Sequence, residues 1–115
     1  MLIEFYLANV FVHGVFSGNP LPVVFSHLTS DQAMQQMARE FNQSETVFIA
    51  NEHRTRIFTT DSELPFAGHP LLGAAAALHK REKLGKKASI TVSLPTRDIL
   101  LESTFNENDR YTVIF

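Results

Sequence analysis

Apolar and polar residues follow two different periods along this chain, one typical of strands and the other of helices. The run from Leu2 to Val12 is rich in aromatic and β-branched residues, which favours a largely buried strand. A second apolar run from Leu21 to Phe25 predicts another strand. The segment Phe16 to Pro20 between them combines glycine, asparagine and proline, the composition of a turn. The chain therefore opens as strand, loop and strand.

A surface helix is predicted after Ser30-Asp31, because both residues are good helix caps. Apolar residues then recur at the helical spacing i, i+3, i+4 and i+7, at Met34, Met37, Ala38 and Phe41. The intervening positions are polar, so one face of this helix packs on the protein and the other meets water.

Short strands dominate the rest of the chain, separated by polar or proline-containing segments. The predicted strands are Glu45 to Ala50 and Arg54 to Thr59, joined as a hairpin, followed by Ala88 to Leu94, Ile99 to Ser103 and Tyr111 to Phe115. Residues 61–66 are predicted to be loop. Residues 79–87 form a basic segment that we expect to be solvated.

A second helix of a different kind is predicted to begin at Pro70, a residue suited to the first turn of a helix. The following residues, from Leu71 to Leu78, are apolar on every face, so this helix belongs inside the protein. One buried helix with about seven strands indicates an α+β domain in which a curved sheet wraps the helix, with the amphipathic helix outside.

Composition narrows the classes of partner. A chain of 115 residues that is 44% hydrophobic folds as a single domain, residues 1–115. The net charge is −2 and no long run of charges of one sign occurs, so the sequence shows no basic patch that would bind nucleic acid or an anionic membrane. The uncharged stretch from Phe5 to Ser30 is interrupted by glycine, proline and asparagine, which argues against a membrane span. We expect a cytoplasmic protein that acts on a small molecule.

Residues that could take part in catalysis or binding lie in two segments. Glu45 stands at the border between a polar patch and an apolar strand, where a carboxyl group is suited to proton transfer. Gly68 and His69 precede the buried helix, whose amide groups at Leu71 and Leu72 and whose dipole favour an anion such as a substrate carboxylate. The other histidines lack metal-ligand spacing with one another and the chain has no cysteine, so no metal site is predicted.

Three segments together resemble the N-terminal half of proteins of the PhzF family, named after phenazine biosynthesis. They are FSGNPLPVV at residues 16–24, FNQSETVF at residues 41–48 and RIFTTDSELPFAGHPLLGAAAAL at residues 56–78. Their order and spacing match the family closely to about Leu84 and more loosely to Phe115. The resemblance implies a fold like that of diaminopimelate epimerase, with two similar domains that each wrap a strand barrel around a central helix.

The same resemblance implies a function. Members of the phenazine branch isomerise or tautomerise small carboxylic acids by moving a proton with a glutamate, whereas related epimerases and racemases use paired cysteines. Glu45 then matches the general acid/base, Ser44 its neighbour, and Gly68, His69 and Leu71 the substrate-binding group. The second domain of the family is absent from these 115 residues.

Two hypotheses from different classes remain open on this basis. The first is a cofactor-independent isomerase of the PhzF family, represented here by half of its length. The second is a catalytically incomplete half-domain that self-associates or regulates. In either case we expect a homodimer, or association with a separate second half, because the surface around Phe16, Leu21, Phe66 and Leu71 and the strand from Tyr111 to Phe115 would be left uncovered.

Overall fold

The computed structural model describes residues 2–10, 18–26 and 30–115, which form two helices and eight strands. The strands are β1 (Glu4–Val10), β2 (Asn19–Phe25), β3 (Thr46–Ile49), β4 (Thr55–Phe58), β5 (Glu63–Leu64), β6 (Lys87–Ser93), β7 (Asp98–Phe105) and β8 (Tyr111–Ile114). The helices are α1 (Asp31–Phe41) and α2 (Gly68–Arg81), and a single 3-10 turn covers Asn51–His53. The α+β class and the two helix types are confirmed.

Helix α1 forms as its pattern predicts. The Ser30 hydroxyl accepts a hydrogen bond from the Ala33 amide at 3.2 Å, and Asn42 ends the helix in the left-handed conformation with φ of 54°. Met34 and Ala38 are buried against one face of a sheet, together with Val24, Phe48 and Phe58. Helix α1 therefore covers the outer face of that sheet.

Helix α2 lies between two sheets and organises the main core. The first sheet has the order β1-β2-β3-β4-β5, antiparallel except for the parallel pair β2 and β3, and the second is an antiparallel sheet β6-β7-β8. Residues of both sheets and of α2 share one cluster that includes Val23, Val47, Leu71, Leu78 and Leu101. The predicted central apolar helix is confirmed, and its cover consists of these two sheets.

The two sheets meet on one side of α2 and stay apart on the other. On the closed side, Arg54 forms a parallel bridge with Ser93, and His53 Nδ1 lies 3.0 Å from the Thr91 carbonyl oxygen. On the open side, a groove of about 720 Å³ separates β1 from β8. The small residues Gly73, Ala76 and Ala77 of α2 line part of it.

Several predicted boundaries are wrong. Asn19 and Pro20 belong to β2 and not to a turn. The hydrogen-bonded ladder between β2 and β3 begins only at Val23, after both prolines of β2, because a proline has no amide hydrogen to donate to a neighbouring strand. The predicted loop at residues 61–66 contains the short strand β5, which pairs with β4. The predicted strand residues Phe11 and Val12, and Phe16 and Ser17 of the predicted turn, lie outside the described residues.

His79 is buried, contrary to the prediction that residues 79–87 are solvated. Its side chain is only 2% exposed, and Nδ1 lies 2.7 Å from the Ser103 hydroxyl while Nε2 lies 2.6 Å from the Gly85 carbonyl oxygen. Because an imidazole offers two polar atoms on opposite sides, His79 ties the end of α2 to both β7 and the following loop.

Replacing His79 by alanine should therefore lower the free energy of unfolding by about 2–4 kcal/mol, since it leaves a cavity and an unpaired Ser103 hydroxyl. Urea unfolding measures this loss. His53→Ala is the control, because His53 is partly exposed and its contacts with Glu82 and with the Thr91 carbonyl are both exposed to solvent, so its removal should cost less, about 1 kcal/mol. Equal losses for the two variants would contradict the structural role of His79.

Arg56 joins the start of α1 to β5. Its guanidinium donates to Asp31 at 2.8 Å and to both carboxylate oxygens of Glu63 at 2.7 and 2.6 Å. The hydrogen bond from Arg56 and then its charge hold the pKa of Asp31 below its ordinary value of 3.8. The pair therefore links protonation of Asp31 to the docking of α1.

A carboxyl group whose pKa is lower in the folded state than in the unfolded state stabilises the fold at pH values above its unfolded-state pKa. This stabilisation is lost as the pH falls through its folded-state pKa. The free energy of unfolding of the wild type should therefore exceed that of Asp31→Asn at neutral pH. This difference should vanish as the pH falls below 3.8, the ordinary pKa of an aspartate. Unfolding free energies measured across this range test it. A constant difference between wild type and Asp31→Asn across this pH range would contradict the linkage.

Candidate active site

The parallel pairing of β2 and β3 brings two polar segments to one edge of the five-stranded sheet. The register pairs Val23 with Val47, so the first residues of both strands lie at the same end. Asn19 begins β2, and Glu45 immediately precedes Thr46, the first residue of β3. The two polar segments therefore stand at the same end of neighbouring strands, with Asn19 four residues before Val23 and Glu45 two residues before Val47.

The strand period places Asn19 on the face that α2 covers. Leu21, Val23 and Val47 pack with α2 in the main core. Since side chains alternate between the two faces of a strand, Asn19 shares the face of Leu21. Glu45 is half-buried and lies immediately before β3.

A hydrogen bond joins this edge to α2. Asn19 Nδ2 lies 3.2 Å from His69 Nε2, across 50 residues of sequence. An amide nitrogen can only donate, so Nε2 accepts, and a neutral His69 then carries its proton on Nδ1. The structure thus brings together Asn19 and His69, while Glu45 precedes the strand next to β2.

Helix α2 begins two residues earlier than predicted. Its first residue is Gly68, so the opening amide belongs to Gly68 and not to Leu71 or Leu72. Leu71 is 0% exposed and packs in the main core, which leaves its side chain no surface to offer to a ligand. Gly68 and His69 are both half-buried, and Ser44 is exposed in the bend before Glu45.

Two aromatic side chains, Phe66 and Phe115, lie near Gly68. A Cβ atom placed on Gly68 would lie 3.4 Å from Phe115 Cζ, and the Phe66 and Phe115 ring centroids are 6.4 Å apart. The Arg97 guanidinium carbon lies 4.5 Å from the Phe66 ring centroid. A cation stacked on an aromatic ring keeps its donors available to an anion.

Sequence reasoning missed two contributors to this region. Asn19 is predicted to be a turn residue but begins β2, and Arg97 has no motif to mark it. Thr46, which follows Glu45, is fully buried, and in the described part of the chain its hydroxyl has no hydrogen-bond partner. By strand alternation Thr46 shares the face of Phe48, which α1 covers, so it lies on the opposite face of the sheet from Asn19.

Two classes of site find no support within residues 2–10, 18–26 and 30–115. No group of three or more histidine, aspartate or glutamate side chains is arranged to hold a metal ion. No helix in those ranges has the length and apolar character needed to cross a membrane.

Comparison with known proteins identifies similar sequences. The profile described as "Phenazine biosynthesis-like protein" (PhzC-PhzF) matches residues 8–113. The chain is 49% identical over 88 residues to an uncharacterized isomerase of Pasteurella multocida, covering 70% of this chain and 30% of that protein. It is 45% identical over 81 residues to trans-2,3-dihydro-3-hydroxyanthranilate isomerase of Pseudomonas aeruginosa, covering 65% of this chain and 29% of that enzyme.

Solved structures with the same fold are longer than this chain. A predicted epimerase from Pseudomonas aeruginosa superposes with a TM-score of 0.84 at 36% identity, over 92% of this chain and 40% of the other. A PhzF-family protein from Bacillus anthracis gives a TM-score of 0.80 at 27% identity, over 96% of this chain and 39% of the other. The chain thus spans about 30% of the curated relatives that it matches and about 40% of the solved chains.

Two glycines of α2 should respond differently to alanine. At Gly73 a Cβ would collide with Leu21 Cδ2 and lie 3.2 Å from Val10 Cγ2, so Gly73→Ala should destabilise by about 1–3 kcal/mol. At Gly68 the nearest atom is 3.4 Å away, so Gly68→Ala should fold with nearly unchanged stability. Urea unfolding distinguishes the two.

Gly68→Ala should nonetheless weaken binding of a small carboxylate such as benzoate, because the new methyl group stands beside the opening amide of α2. Chemical-shift titration of the wild type and the variant measures the affinity. Unchanged affinity in Gly68→Ala would contradict the placement of an anion here.

Proposed function

Because the chain belongs to the phenazine biosynthesis-like PhzC-PhzF family, we propose that it forms the proton-transfer half of an isomerase that acts on a small carboxylic acid. Glu45 is the general acid/base in this proposal. The observation that supports it is the Asn19–His69 hydrogen bond at the beginning of β2, whose parallel neighbour β3 begins directly after Glu45.

The proposed reaction moves one proton within the substrate. Glu45 takes a proton from one carbon and returns it to another, so the product has the same composition and oxidation state as the substrate. No cofactor is required for this balance. A single carboxyl group serves both steps when it reaches both carbons on one face of the substrate, and such a group contributes about 10²- to 10⁴-fold to the rate.

His69 is proposed to orient the substrate. The hydrogen bond from Asn19 to Nε2 fixes the orientation of the imidazole at the beginning of α2. Asn19 therefore acts as a positioning residue through His69. Ser44 and Gly68, which flank these groups along the chain, are proposed to contact the substrate as well.

The carboxylate of the substrate is proposed to lie near Gly68. The opening amide of α2 and the positive end of its dipole favour an anion there, and Arg97 adds a full positive charge beside Phe66. The substrate itself is proposed to resemble that of the Pseudomonas enzymes, whose name gives trans-2,3-dihydro-3-hydroxyanthranilate.

A second candidate function follows from the length of the chain. Because it spans about 40% of the solved neighbours, the remaining part of the family fold, which would close the site from the other side, is not among these residues. The alternative is a catalytically incomplete module that binds a carboxylate or a partner. Isomerisation of a substrate by the purified chain would exclude that alternative.

Glu45→Gln should lower proton exchange by about 10²- to 10⁴-fold, because glutamine keeps the shape of glutamate but cannot take up a proton. The measurement is deuterium incorporation into trans-2,3-dihydro-3-hydroxyanthranilate or its product in deuterated water. The chain is assayed alone and mixed with the complementary part of the Pseudomonas aeruginosa enzyme. Glu40→Gln is the matched control, since Glu40 is an exposed residue of α1.

Full exchange in Glu45→Gln would contradict the assignment of Glu45. Absence of exchange in the wild type under both conditions, with carboxylate binding retained, would favour the module over the enzyme. Thermal unfolding of both variants checks that any loss of exchange is not a loss of fold.

A further inference from the structure

Arginine side chains lie over phenylalanine rings at three places in the described part of the chain. The distances from guanidinium carbon to ring centroid are 5.5 Å for Arg56 over Phe58, 4.4 Å for Arg81 over Phe25 and 4.5 Å for Arg97 over Phe66. A guanidinium that stacks on a ring keeps its N–H groups available to an anion. Each of these arginines is therefore suited to bind a carboxylate.

Two of the three stacked arginines bind a carboxylate of this chain. Arg56 donates to both oxygens of Glu63, and Arg81 donates to Glu4 at 3.1 Å. The ion pairs within the described part of the chain do not include Arg97. Arg97 thus has the same ring contact as the other two arginines, but no carboxylate partner among the described residues.

The backbone holds Arg97 in one place. The Leu94 amide donates to the Arg97 carbonyl oxygen at 2.9 Å and closes the turn between β6 and β7. Leu94 is 5% exposed and packs in the main core, and Ser93 pairs with Asp98 across the turn. The guanidinium therefore extends from an anchored backbone, which lowers the entropic cost of binding an anion.

Arg97 stands near the beginning of α2, beside the proposed substrate site. Its stacking partner Phe66 lies two residues before Gly68, the first residue of α2, and three residues before His69. Three residues of extended chain span at most about 11 Å. A small acid that contacts His69 is therefore within reach of the Arg97 guanidinium.

We propose that Arg97 selects the charge of the substrate, and that Phe66 is a positioning residue that acts through Arg97. This role rests on the proposed function, because the anion that Arg97 binds is the carboxylate of the proposed substrate. The planar guanidinium donates two parallel hydrogen bonds to a carboxylate, whereas a neutral amide of the same shape offers only one acceptor oxygen. Arg97 therefore discriminates a carboxylic acid from its amide.

Chemical-shift titrations with benzoate and with benzamide test this selectivity, since the two ligands have similar size and shape and differ in charge. The wild type should bind benzoate about tenfold more tightly than benzamide, and Arg97→Gln should bind the two equally. Arg39→Gln is the matched control and should keep the preference, because Arg39 is an exposed arginine of α1. Absence of benzoate binding in the wild type, equal binding of both ligands there, or an unchanged preference in Arg97→Gln would overturn the proposal.

Variants of Phe66 separate positioning from direct contact. Phe66→Leu removes the ring under the guanidinium, so it should weaken benzoate binding about twofold to fivefold and leave benzamide binding unchanged. Phe66→Tyr keeps a ring and should restore the wild-type preference. An equal loss of affinity for both ligands in Phe66→Leu would show that Phe66 contacts the ligand itself, which would overturn its positioning role.

This test is separable from that of the proposed reaction. Glu45→Gln should keep the preference for benzoate while it loses proton exchange. A wild type that exchanges protons but binds benzoate and benzamide equally would overturn the role of Arg97 and leave Glu45 as the general acid/base. A wild type that prefers benzoate without exchanging protons would contradict the proposed reaction and support the charge selectivity.

Discussion

The burial of α2 is the constraint on which the rest of this structure depends. A helix that is apolar on every face, from Leu71 to Leu78, requires protein on all sides, and no single sheet of this size supplies it. The five-stranded and three-stranded sheets share that task and meet through Arg54 and Ser93. Within residues 2–10, 18–26 and 30–115, these two sheets leave a groove over the helix between β1 and β8.

The same constraint creates the candidate active site. Because α2 packs on the inner face of β2 and β3, its first turn lies where those two parallel strands begin, and the Asn19–His69 hydrogen bond holds the two together. Glu45 belongs to that edge through its place before β3. The site thus combines groups that are far apart in sequence, and the packing of a core helix sets their positions.

The sequence predicted those features that local patterns encode. The cap at Ser30, the helical spacing through Phe41 and the apolar run after Leu71 predicted both helices correctly, and the motif around Glu45 predicted the family. The beginning of α2 was misplaced because Ala67 provides no side-chain cap, so Pro70 was the only visible signal. Long-range contacts have no local signal in the sequence. The basic run around His79 predicts a solvated side chain, although Gly85 and Ser103 hydrogen-bond both of its nitrogens. Leu21 and Leu71 were likewise expected at an uncovered surface but are buried.

The state of the His69 imidazole tests most directly whether the sheet edge and α2 form one site. The account predicts that neutral His69 carries its proton on Nδ1, because the Asn19 amide donates to Nε2. Long-range proton–nitrogen correlation NMR on histidine-labelled protein distinguishes the two tautomers. A protonated Nδ1 that gives way to a tautomer mixture in Asn19→Ala is the predicted result. Neutral His69 protonated on Nε2 in the wild type would contradict the account.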